Sequence, residues 1–182
     1  LASGGEQIRP TGLRAVVDRE GGVSEPHLGR KAGFRPDEAF LVTNILRGVI
    51  DRGTGASARA LGVEGPVAGK TGTTNEGRDT WFVGYTPRLV AVVWVGFDQR
   101  DVLRLSGAQA ALPIWTSFMM KGLAGHPNQP FEAPEGITFI DIDRDTGRVA
   151  TPECPRTFNE AFISGTEPTE ICRLHSAVGG TQ

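Results

Sequence analysis

The sequence predicts an α+β fold: an antiparallel β-sheet flanked by helices, followed by a small β-rich tail. Three observations carry this expectation. Residues 36–52 repeat apolar pairs every four positions, as an amphipathic helix does, and residues 80–95 hold two β-branched and aromatic runs either side of Thr86, Pro87 and Arg88, as an antiparallel hairpin does. Past residue 125 the periodicity stops, and a Pro-rich linker leads into an alternating segment, Ile137 to Asp143, that reads as a strand. The expected organisation is one unit over 1–125 and a linker with a β-rich extension over 126–182.

Taken in order, Leu13 to Asp18 and Val23 flank Arg19, Glu20, Gly21 and Gly22, which predicts a short hairpin. Pro36 opens the clearest helix, because proline has no amide to lose in the first turn and Asp37 and Glu38 favour the positive end of the helix; Arg52 and Gly53 close it. The pairs Leu41/Val42, Ile45/Leu46 and Val49/Ile50 make a broad apolar stripe, expected to be half buried. Residues 53–65, rich in Gly and Ala, are expected to cross the surface before a strand begins near Val67. The nearly continuous apolar run Leu89 to Val95 suits a central strand covered on both faces. Ser106 is placed to cap a buried helix running from Gly107 to about Lys121 and kinked at Pro113. Trp94, Trp115, Met119 and Met120 are expected in the core.

Composition narrows the function. Nineteen basic and 21 acidic residues give a net charge of −2, with no basic stripe, so nucleic acid is not an expected partner. The longest apolar run, Leu89 to Phe97, is about half of a bilayer span, so any membrane anchor has to lie outside these residues. The chain starts without methionine, at Leu1, in a loop-like stretch, which suggests a piece of a longer protein. Gly (25) and Pro (12) make up about a fifth of the 182 residues, implying many turns. The two cysteines, Cys154 and Cys172, both lie in the tail, and a disulfide between them is the preferred reading over two unlinked thiols.

The block Lys70, Thr71, Gly72, Thr73 and Thr74 concentrates a cation, three hydroxyls and a position without a side chain, which is equipment for gripping an anion. A phosphate loop is excluded by spacing, since Gly65 to Thr71 has three residues between its glycines where that loop needs four, and turn residues and a strand follow instead of a helix. A carboxylate remains. Alternation along a strand puts Lys70 and Thr71 on opposite faces, so both serve one cleft only if the strand presents its edge.

The stretch Ala68 to Asn75, with Asp79 to Pro87 and Val93 to Gly96, resembles the C-terminal half of the transpeptidase domain of class A penicillin-binding proteins, whose signatures include Lys-Thr-Gly. Arg9 to Thr11, Ile50 to Ala56, Pro134 to Ile137 and Cys154-Pro155 extend the likeness over most of the chain. The resemblance implies a serine-type DD-transpeptidase of peptidoglycan synthesis, acting on D-alanyl-D-alanine stem peptides and acylated by β-lactams. In it Lys70 and Thr73 have catalytic roles, Thr71, Gly72, Thr73 and Thr74 bind substrate, and the Thr73 amide is one oxyanion donor. It also implies partners that these 182 residues do not contain: Ser-x-x-Lys and Ser-x-Asn elements, a glycosyltransferase domain and an N-terminal membrane anchor on the extracytoplasmic side. No cofactor is implied, and the chain alone is expected to be inactive.

Two other classes compete, a hydrolytic relative (carboxypeptidase or serine β-lactamase) and a secreted binding or structural module without chemistry. Trp81 to Pro87 and the extension speak for the bifunctional synthases. Arg78, Asp79 and Trp81 follow the block closely enough to shape a cleft rim, and for each a structural use is expected over a catalytic one. His27, His126 and His175 read as solvated. Cys172 and His175 have a zinc-like spacing, but Cys154 supplies only a third ligand and no fourth is evident, so no metal is expected. Asp141, Asp143 and Asp145 do not make a calcium loop, because Pro152 stands where the closing glutamate belongs; a strand with a solvated face and then a turn is expected.

Overall fold

The computed structural model describes residues 1–26, 29–99, 101–126 and 129–175, so His27 lies outside the described residues. Four short strands open the chain: β1 (Glu6–Ile8), β2 (Val16–Val17), β3 (Val23–Ser24) and β4 (Arg30–Ala32). The expected hairpin is β2 with β3, closed by Asp18, whose carboxylate accepts the amides of Glu20 and Gly22. An outer antiparallel pair, β1 with β4, was not expected from the sequence.

Helix α1 spans Pro36–Arg52, with the predicted start and stop. Its buried face differs from the expected stripe: Val42 and Ile45 are 42% and 60% exposed, while Thr43 and Asn44 are buried. The cause is polar. The Thr43 hydroxyl donates to the Ala39 carbonyl and shares a hydrogen bond of 3.0 Å with the Tyr85 hydroxyl, and Asn44 donates to Glu160 of the tail. Nor do residues 53–65 merely cross the surface. They form a short helix, α2 (Ser57–Ala60), whose Ala58 enters the core with Val63 and Val67. Arg59 holds this turn by bonding Asp51 and the carbonyls of Val63 and Gly65.

The central sheet has three antiparallel strands, β5 (Ala68–Thr73), β6 (Thr80–Tyr85) and β7 (Val90–Val95), in the order β5-β6-β7. The Thr86 hydroxyl closes the β6–β7 turn by accepting the amides of Arg88 and Leu89. Among the described residues strand β7 is therefore an edge, alternating exposed and half-buried residues rather than covered on both faces. Trp94 is 45% exposed and not core. On the inner face, Gly69 stands opposite Gly84, leaving space for Phe82 and Trp115, whose rings sit 4.8 Å apart. The Trp115 indole donates to the carbonyls of Ala91 and Gly84, satisfying its polar edge while the ring fills the core.

Helix α3 spans Ala111–Gly122 and starts later than expected, because residues 106–110 form a turn in which Gln109 accepts from the Ser106 amide and hydroxyl. Pro113 falls in its first turn, where the missing amide is of no consequence, so no kink is required. The helix is not buried all round. Leu112, Trp115 and Met119 are core, but Ile114, Phe118 and Met120 are exposed.

The tail is a long hairpin, β8 (Ile137–Asp143) with β9 (Thr157–Ile163), paired along its whole length. It docks on α1: Phe139 meets Phe40 edge-on, Arg52 lies over the Phe158 ring, and Glu160 takes both Asn44 and Arg52. One expectation fails here. Asp143 is not on a solvated face but fully buried, because its side chain points between the turn at Thr146 and Cys172. The sulfurs of Cys154 and Cys172, expected to pair, stand unbonded within 4.8 Å of one another in one cluster with Asp143 and His175.

Candidate active-site wall

Strand β5 lies at one edge of the sheet, bonded to β6 on one side. The Thr74 amide donates to the Asp79 carbonyl at 3.0 Å, which fixes the phase of the ladder. Since strand amides alternate in direction, those of Gly69, Thr71 and Thr73 point away from β6, toward the open edge. The Lys70 ammonium confirms this phase by curling around the edge to the outward carbonyl of Thr71, at 2.8 Å, and to its hydroxyl, at 3.3 Å. Lys70 and Thr71 thus meet at the edge although strand alternation separates them.

A residue that sequence reasoning did not single out joins them. Thr54, just past the end of α1, shares a 3.0 Å hydrogen bond with the Thr71 hydroxyl, so ammonium and two hydroxyls form one polar row. Thr54 sits within the stretch Ile50 to Ala56 that carried the family likeness, but its partner is 17 residues away and nothing local signals the pairing.

The remaining block residues have distinct placements. The Thr73 hydroxyl accepts the Gly107 amide at 3.2 Å, tying the loop before α3 to the edge. The Thr74 hydroxyl is occupied in the turn, accepting the amides of Arg78 and Asp79, so its visible role is to shape the 74–79 turn. A Cβ on Gly72 would lie 3.3 Å from the Trp81 side chain, and one on Gly107 would come within 2.9 Å of the Gly72 carbonyl oxygen. A side chain at position 72 would thus be tight against Trp81 within the sheet. Asp79 accepts the Trp94 indole at 3.0 Å, Arg78 pairs with Glu76, and Gly77 accepts the amides of Leu103 and Arg104. Arg104 takes a positive φ of 56°, which, among the described residues, no other non-glycine does; the loop beside this edge is held in a sparsely populated conformation. Cys154, Cys172 and His175 lie in the tail, outside this row of residues.

A strand edge that offers an ammonium, hydroxyls and outward amides together can hold a carboxylate and, beside it, a developing oxyanion. The comparisons give this arrangement a family. The family model described as the penicillin-binding protein transpeptidase domain matches residues 1–119, and the chain belongs to that family. Its tail, residues 133–177, matches the model described as the C-terminal domain of penicillin-binding protein 1A. Among relatives, penicillin-binding protein 1A of Pseudomonas aeruginosa is 43% identical over 138 residues, covering 75% of this chain and 17% of that protein. Penicillin-binding protein 1A of Aquifex aeolicus is 34% identical over 183 residues, covering 99% and 25%. The chain thus spans about a quarter or less of these relatives. The crystal structure of penicillin-binding protein 1A from Haemophilus influenzae superposes with a TM-score of 0.79 at 25% identity, over 94% of this chain and 31% of that one.

Proposed function

We propose that this chain is the Lys-Thr-Gly wall of a serine-type peptidoglycan DD-transpeptidase whose nucleophile is carried by a preceding segment of the same enzyme. The observation that carries the reading is the polar row of Lys70, Thr71 and Thr54 along the open edge of β5, next to an outward-pointing Thr73 amide. A D-alanyl-D-alanine stem peptide laid along the edge would place its terminal carboxylate against Lys70 and the Thr71 hydroxyl. The Thr73 amide would face the carbonyl that becomes an oxyanion. The serine oxygen attacks that carbonyl, the peptide bond breaks and D-alanine leaves; an amine of a neighbouring strand then displaces the serine from the acyl-enzyme. A β-lactam opens its ring on the same serine and stays as the ester.

The preceding segment would dock on the side of the sheet where Trp81, Val83, Val90, Val92 and Trp94 are exposed. Two thirds or more of the length of the relatives lies outside this chain, which supplies an occupant of the right kind. The enzyme would act outside the cytoplasm, anchored through its N-terminal part; among the described residues no helix is long and apolar enough to cross a membrane.

The test is fluorescent-penicillin labelling of the full-length enzyme. Lys70→Ala should lower the second-order acylation rate by about 10–100-fold, the worth of one charge-assisted hydrogen bond. This chain by itself should remain unlabelled. Wild-type labelling rates in Lys70→Ala would defeat the proposal.

A further inference from the structure

Asp143, Cys154, Cys172 and His175 bring one ligand atom each to within 4.8 Å of one another. Their sequence spacing gives three ligands, and the fold supplies the fourth by burying Asp143 at the end of β8. We propose that these four residues bind Zn²⁺ in a tetrahedral site that pins the β-rich tail. This site lies apart from the acyl-transfer wall and stands whether or not that reading does.

The distances suit the metal. With bonds of about 2.3 Å to sulfur and 2.0–2.1 Å to nitrogen and oxygen, tetrahedral angles put ligand atoms about 3.3–3.8 Å apart. His175 Nδ1 lies 3.6 Å from Cys172 Sγ and 3.2 Å from Asp143 Oδ1. The carboxylate is divided between two tasks. Its Oδ2 accepts the Thr146 amide and hydroxyl at 2.9 and 2.6 Å, while Oδ1, fully buried, makes no hydrogen bond and faces His175 outside hydrogen-bond geometry. A buried carboxylate oxygen without a partner is costly, and a cation beside it removes the cost. A disulfide would consume both sulfurs and leave that oxygen as it is.

The surroundings also fit. The Thr151 amide donates to Cys154 Sγ at 3.3 Å, and His175 Nε2 stands 3.9 Å from Asp145 Oδ2, beyond a hydrogen bond but near enough for a shift of under ~1 Å to let the carboxylate orient a metal-bound imidazole. Two thiolates and a carboxylate with a neutral imidazole favour a borderline-soft dication over calcium or magnesium. Binding replaces two thiol protons, which are released: Zn²⁺ and two Cys–SH give two Zn–S bonds and two H⁺.

The full chain, reduced and stripped with EDTA, is titrated with Co²⁺ alone and then with Zn²⁺. One equivalent of cobalt should bind with tetrahedral d–d absorption and thiolate-to-cobalt charge transfer, and zinc should displace it. Cys154→Ser should lower the charge-transfer intensity by about half, as one of two thiolates is lost. Asp145→Ala, which leaves all four ligands in place, should weaken affinity by about 10–100-fold. A spectrum without thiolate charge transfer, or no stoichiometric binding by the reduced chain, overturns the proposal, and the wild-type spectrum decides this even if a cysteine variant fails to fold. Chain isolated without reductant should carry zinc and two alkylatable thiols; a Cys154–Cys172 disulfide without metal also overturns it.

Discussion

Gly84 shows how single positions set the geometry of the wall. A Cβ there would lie 2.4 Å from the Trp115 ring, so the residue opposite Gly69 is small in order to admit an indole. Gly84→Val should cost about 1–3 kcal/mol by overpacking and lower Tm by roughly 2–10 °C, followed by circular dichroism. An unchanged Tm would mean the helix can move away freely. At this scale the meeting of Lys70 and Thr71 at the strand edge was legible as a condition, because alternation lets the two share one cleft only there. Thr54 and Asp143 were not. Each acts through a partner brought near by the fold, and Asp143 in particular sits in an alternating run where sequence pattern points to solvent.

Elements were legible in their limits more than in their orientation. Pro36, the two acids and Gly53 give the bounds of α1 because capping chemistry is local. Its rotation is set by Thr43 with Tyr85 and by Asn44 with Glu160, partners 42 and 116 residues away. The first pair has a measurable signature. Burial raises the Tyr85 hydroxyl above its ordinary range, with the Thr43 hydrogen bond opposing. A raised folded pKa means that the contribution is complete below the unfolded value of about 10 and is lost as pH rises through the folded one. Tm should therefore fall more steeply above pH 10 in the wild type than in Tyr85→Phe. Equal alkaline slopes in thermal melts would refute the assignment.

The whole molecule exposes what the sequence read as core. The run in β7 looked fit for a central strand, and the sheet does present apolar residues on both sides, yet this chain covers one of them. Periodicity reports that a face is apolar; it does not report which segment covers it. If the preceding part of the enzyme covers the other side, Val92→Asp should leave the isolated chain's stability within about 0.5 kcal/mol, since the residue is 56% exposed. The same substitution should abolish penicillin labelling when the chain is mixed with the preceding segment. Full labelling of that mixture would exclude this face as the docking surface.

Arg52, the last residue of α1, is held by Glu160 at 3.1 Å, and Thr54, two residues on, is held by Thr71. The tail and the polar row therefore grip the same few residues of chain from opposite ends. Only Gly53 separates the residue that the extension holds from the residue that the Lys70 edge holds, so a shift of the extension on α1 has one glycine in which to be absorbed before it meets that edge.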